Sequence, residues 1–117
     1  MSEYYLNNGV AIVRSLGKKI SDEDEAMDVV LSIKHDSGAT KIAFSKSCFD
    51  ERFFILSSGI AGEVIQKFVN YGIRAAVFGE FSHYTSKPLH DFIYESNNGH
   101  HFGFLQTEED AVKWLTR

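Results

Sequence analysis

Short apolar runs alternate with helix-period patterns along the whole chain. Tyr4–Leu6 and Val10–Ser15 read as two strands, with Asn7-Asn8-Gly9 between them as a hairpin turn. Gly17-Lys18-Lys19 breaks the second run. Ser21 is placed to cap a helix, with Asp24 three residues on and acids at 22 to 25 favouring the positive end of its dipole. Ala26, Val29, Val30 and Ile33 then recur at i, i+3, i+4 and i+7, and Gly38 is placed to end the helix. Lys41–Ser45 is a short apolar strand.

Residues 46–56 are the least regular part. Phe49, Phe53 and Phe54 sit among Asp50, Glu51 and Arg52, which predicts a loop or helical turn leaning its aromatics on the core. The next helix is predicted to start at Ser57-Ser58-Gly59, capped by serine, with Ile60, Val64, Phe68 and Tyr71 on its apolar face and Gly72 after it. Ile73–Phe78 is the clearest buried strand, and Gly79–Thr85 a polar loop. Ser86-Lys87-Pro88 opens a third helix that stops at Asn97-Asn98-Gly99. His101–Leu105 is the last strand. Thr107 and Asp110 form a capping box on a last helix whose apolar side is Ala111, Trp114 and Leu115. The order β-β-α-β-α-β-α-β-α predicts a single α/β domain over residues 1–117, with an N-terminal hairpin and a mostly parallel or mixed sheet flanked by helices.

Composition narrows the setting. In 117 residues, 44% are hydrophobic and 24% charged, with one proline, which excludes collagenous, low-complexity and disordered chains. The net charge is -4, and residues 1–58 and 59–117 are both slightly acidic. Neither half has the positive footprint of a nucleic-acid binder, so no nucleic-acid partner is expected. Cys48 is the one cysteine, so no internal disulfide forms, and Phe49 beside it predicts a buried, inert thiol. The lone cysteine, the lack of a signal peptide and the lack of a long apolar run predict a cytoplasmic protein that does not enter membranes.

At Ser57-Ser58-Gly59-Ile60-Ala61-Gly62 the chain resembles the STAS domain, the fold of the anti-sigma-factor antagonists. Those domains share this element order and carry an Asp-Ser-Ser-Gly-apolar-small motif at the start of their second helix. The run from Phe53 to Glu80 (FFILSSGIAGEVIQKFVNYGIRAAVFGE), with Ser86 and Phe92-Ile93-x-Glu95-Ser96-Asn97, is more closely similar to an uncharacterised bacterial family of STAS-like small proteins of unknown function. In the antagonists the motif's second serine is phosphorylated by an anti-sigma-factor kinase, and phosphate releases the partner. That position falls on Ser58. The motif's Asp position holds Leu56, and the loop before it is longer.

The residues themselves support three functional readings. The leading one is a protein-interaction or signalling module, not an enzyme, using Ser57, Ser58, Gly59, Gln66 and Asn70 as a switch and partner-binding face. Free N–H groups at a helix start favour phosphate, while the simpler role of such a serine is a cap. The second reading is a small-molecule or metal-binding protein, or an enzyme, built on Glu80, His83, His90 and Glu95 near a strand's carboxyl end. No His-x-x-x-His or Glu-x-x-His pair lies on one helix, so no metal and no cofactor are predicted. The third is a homodimer built on an exposed sheet edge or aromatic loop. Phe81 and Tyr84 either enlarge the docking face or tuck beneath their loop.

Overall fold

The computed structural model describes residues 4–117. Five strands and four helices alternate as the apolar pattern predicts. The strands are β1 (Tyr5–Asn7), β2 (Val10–Val13), β3 (Lys41–Ser45), β4 (Arg74–Phe78) and β5 (Phe102–Leu105). The helices are α1 (Glu23–Ser37), α2 (Ile60–Asn70), α3 (Lys87–Asn98) and α4 (Glu108–Thr116). β2 ends two residues before the predicted boundary at Ser15, and β5 starts one residue after His101.

The sheet runs in sequence order, β1-β2-β3-β4-β5. β1 is antiparallel to β2, and every later pair is parallel. The hairpin turns on Asn8 and Gly9, both at positive φ (54° and 80°). That pair of angles is what a two-residue turn needs to match the strand twist. Parallel steps that always advance in one direction place their crossover helices on one face. α1, α2 and α3 therefore share a face, and α4 lies alone on the other.

The two faces differ in side-chain size because their helices approach differently. Ala11, Val13, Ile42, Phe44, Ala75, Val77, Phe102 and Phe104 are buried under α1 to α3. On the other face, Ile12, Ala43, Ala76 and Gly103 are successive partners across four strands. The small members of this row, Ala43, Ala76 and Gly103, let Trp114 of α4 lie close to the sheet. A Cβ placed on Gly103 would come 3.0 Å from the Trp114 ring.

Helix starts follow local chemistry. The cap of α1 is Asp22, not Ser21: its carboxylate accepts the Glu25 N–H at 2.8 Å. Glu25 reaches back to the Ser21 N–H at 2.8 Å, so the capping box is shifted one residue from the predicted one. Ser86 caps α3 with a proline following, and Thr107 caps α4, both as predicted.

The irregular segment between β3 and α2 consists of three short 3-10 turns, Lys46–Cys48, Glu51–Phe54 and Leu56–Ser58. Its aromatics do enter the core. Phe49 packs 5.2 Å from Phe44 and 4.4 Å from Phe53, centroid to centroid. Cys48 is fully buried with its thiol directed at the Val13 carbonyl, and burial pushes its pKa up to about 11. The thiol is thus protonated and inert at neutral pH.

Candidate functional site

The start of α2 departs from the predicted serine cap. Leu56–Ser58 forms a 3-10 turn, and Gly59 follows at φ 79°, a left-handed angle that glycine adopts without strain. Gly59 is therefore the cap of α2 and offers no side chain to the first-turn N–H groups. The Ser58 hydroxyl donates to the Arg52 carbonyl at 2.7 Å and accepts the Ile60 N–H at a long 3.3 Å. Ser58 thus ties two 3-10 turns together and only brushes the helix end. Ser57, Ser58 and Gly59 are all exposed.

Gln66 and Asn70 lie on the same helix, one turn apart. The Gln66 amide donates to Asn70 Oδ1 at 3.0 Å. Gly59, Glu63, Gln66 and Asn70 follow at spacings of four, three and four and are all exposed, so they form one solvent-facing stripe, with exposed Gly62 beside it. Apolar residues border it. Ile55 is 51% exposed and Val69 39%. Tyr71, expected on the apolar face, lies beyond the helix end and is 50% exposed.

Lys67 turns from that stripe toward α1. Glu23 there has its pKa raised, first by burial and then by the neighbouring Glu63 carboxylate, with Lys67 opposing both. Glu23 at the start of α1, Glu63 in the first turn of α2 and Lys67 in its last turn thus act on one another across the α1–α2 contact.

The second group of predicted residues is divided by the fold. Glu80 and His83 belong to the loop after β4. The Glu80 carboxylate accepts the Ser82 N–H at 2.7 Å, and its pKa is lowered by Ser82 and, less, by His83. His90, in the first turn of α3, directs Nε2 at the Tyr84 carbonyl. Glu95 is elsewhere, in a shallow groove of about 150 Å³ between α2 and α3 with Ile65, His100 and Phe102. Among the described residues, no three His, Cys, Asp or Glu side chains are grouped to hold a metal ion. The four residues therefore do not converge on one centre.

Phe81 and Tyr84 tuck beneath their loop. Phe81 lies 5.8 Å from Phe54 and 5.7 Å from Phe104, and Tyr84 lies 5.5 Å from Phe54. Tyr84 donates to Glu51 at 2.5 Å, and burial with this bond raises its pKa. What they enclose is Lys46, a residue the sequence does not single out. Its Nζ is 4.6 Å from the Tyr84 ring centre, 5.8 Å from those of Phe54 and Phe81, and 3.4 Å from His83 Nε2. Sequence separation hides this cage, since Lys46 meets His83 across 37 positions.

A five-stranded mixed sheet with three helices on one face and a terminal helix on the other defines a STAS-like α/β fold. A family model described as a domain of unknown function (DUF4180) matches residues 6–115. The chain belongs to that family. No curated protein matches it. Among solved structures it is similar to a protein of Thermotoga maritima described as a "putative anti-sigma factor antagonist", with a TM-score of 0.50 and 15% identity. The likeness covers 99% of this chain and 95% of that one, and at this identity it shows the fold. Among the described residues no helix is long and apolar enough to cross a membrane.

Proposed function

We propose that this chain is a single-domain protein-interaction module, and that its docking face is the exposed stripe of α2 with the Ser57-Ser58-Gly59 turn at its head. One observation carries the reading: two exposed serines lead into a helix whose glycine cap leaves the first-turn N–H groups without a strong side-chain acceptor. Such a helix start accommodates negative charge, through its N–H groups and its dipole together. A phosphate on Ser58 adds close to two negative charges beside the stripe carrying Glu63, Gln66 and Asn70. It also removes the hydroxyl proton that holds the Arg52 carbonyl. A partner seated on this face therefore meets a new charge and a rearranged turn at once. The likeness in fold to a protein described as a "putative anti-sigma factor antagonist" supports a protein partner in general.

Capture from the cells of origin tests the reading, with wild type, Ser58→Ala and Ser58→Asp as baits. The expected result is one protein retained by wild type and Ser58→Ala and lost with Ser58→Asp. Equal retention by all three baits contradicts a charge switch at this turn.

A further inference from the structure

A second feature, independent of the α2 face, lies at the carboxyl ends of β3 and β4. An open cleft of about 300 Å³ is lined there by Lys19, Ser45, Lys46, Ser47, Glu51 and Glu80, with Phe49 as its floor. Open α/β sheets present ligand clefts at this end of their parallel strands. Its walls come from three separate segments. Lys19 precedes Ile20, which pairs with Phe49 through a parallel bridge: Ile20 donates to the Cys48 carbonyl and Asp50 to the Ile20 carbonyl, each at 2.8 Å. Ser45 ends β3 and Lys46 opens the 3-10 turn that follows it. Gly79 follows β4 at φ 156°, and a Cβ there would sit 2.8 Å from Lys46 Cβ. Only glycine allows the two strand ends to approach this closely.

The charges of the cleft are arranged, not merely present. Among the described residues, neither Lys19 nor Lys46 forms an ion pair with a carboxylate. Lys46 is held instead against Tyr84, Phe54 and Phe81, whose ring faces stabilise an ammonium group without neutralising it. The Ser45 and Ser47 hydroxyls lie 3.0 Å apart on the same wall. The two acids are fixed as well, Glu51 by the Tyr84 hydroxyl and Glu80 by the Ser82 N–H. Each keeps free lone pairs for a further donor. One held cation, Lys46, one exposed cation, Lys19, and two fixed anions therefore line one small space. A lone dianion such as phosphate meets as much repulsion as attraction there, whereas a ligand bearing both charges is matched at both ends.

We propose that this cleft binds a small zwitterion of free α-amino-acid size. Its carboxylate lies against Lys19, Lys46 and the Ser45 and Ser47 hydroxyls, and its ammonium group against Glu51 and Glu80. The cleft volume is at the lower end for ligand sites, which suits so small a molecule.

Amide NMR titration with glycine, which carries only the two charged groups, tests the assignment. Glycine is expected to shift the amides of Ser45, Ser47, Gly79 and Glu80 saturably. N-acetylglycine lacks the ammonium group and glycinamide lacks the carboxylate. Each is expected to bind weaker by about tenfold or more, because one charged pair is lost. Lys19→Met and Lys46→Met are expected to weaken glycine binding similarly; the latter retains an apolar stem against the rings. These analogues test the charge pattern on the unaltered protein, even if a variant folds poorly. Glycine moving none of these amides overturns the proposal. N-acetylglycine or inorganic phosphate binding as tightly as glycine also overturns it, and identifies a simple anion site.

Discussion

The Asn97 carboxamide makes both backbone hydrogen bonds to Phe104 that a further strand would make. Asn97 Oδ1 accepts the Phe104 N–H at 2.7 Å, and Asn97 Nδ2 donates to the Phe104 carbonyl at 2.9 Å. β5 is an edge strand, and edges with open N–H and C=O groups invite pairing with other chains. Asn97 occupies that edge with one side chain. Its own carbonyl in turn accepts the Trp114 indole N–H at 3.1 Å, which joins α3, β5 and α4.

Asn97→Ala leaves two partly buried backbone groups without their partner. It is expected to lower the unfolding free energy by about 1–3 kcal/mol. Denaturant unfolding measures the loss, and hydrogen exchange at the Phe104 amide should rise with it.

Gly103→Ala tests the row of small residues beneath α4. The added methyl would lie 3.0 Å from the Trp114 ring, so the ring has to give by a few tenths of an ångström. Overpacking of this kind costs about 1–3 kcal/mol. Thermal unfolding and Trp114 fluorescence should change together. Unchanged values for both would mean that α4 does not lie where the ring contact places it.

Acid stability should depend on Glu25. The Lys18 ammonium and then the Ser21 hydroxyl and N–H hold its pKa at about 2 instead of the ordinary 4.5. A carboxyl whose folded pKa is depressed contributes stability above its unfolded pKa and loses it as pH falls through the folded one. The contribution therefore fades between about 4.5 and about 2. Glu25→Gln should flatten stability across that window in pH-dependent unfolding.

Glu23 works in the opposite sense. Burial and the Glu63 carboxylate raise its folded pKa, so its charged form opposes folding at neutral pH. Glu23→Gln should leave stability at neutral pH unchanged or higher. A clear loss in denaturant unfolding would contradict this account of the α1–α2 contact.

Much of the fold was legible because its signals are local. Asn8-Gly9 specifies its turn through backbone angles, and the Ile73–Phe78 run specifies a strand buried on both faces. Ser86 and Thr107 cap the helices they precede. Between Lys46 and Ser58 the turn and its core-facing aromatics were legible, but the division into three 3-10 turns was not, because turns this short leave no repeating pattern. The serines before α2 misled for a related reason: a 3-10 turn closing on a left-handed Gly59 displaces the cap by one position. Asn97 reads in sequence as a helix stop, since its bonds to Phe104 exist only once β5 is in place. The Ala43-Ala76-Gly103 row depends on strand register, and the Lys46 cage on side chains from distant segments. Glu80 and His83 were placed correctly at a strand's carboxyl end, but the cations and hydroxyls that complete the cleft come from segments that had no motif.

Phosphosite mapping by mass spectrometry, on protein isolated from its own cells, tests the central claim most directly. The account predicts phosphate on Ser58 in a fraction of the protein that changes with growth conditions. Ser58 unmodified under every condition would contradict a phosphate switch at the head of α2.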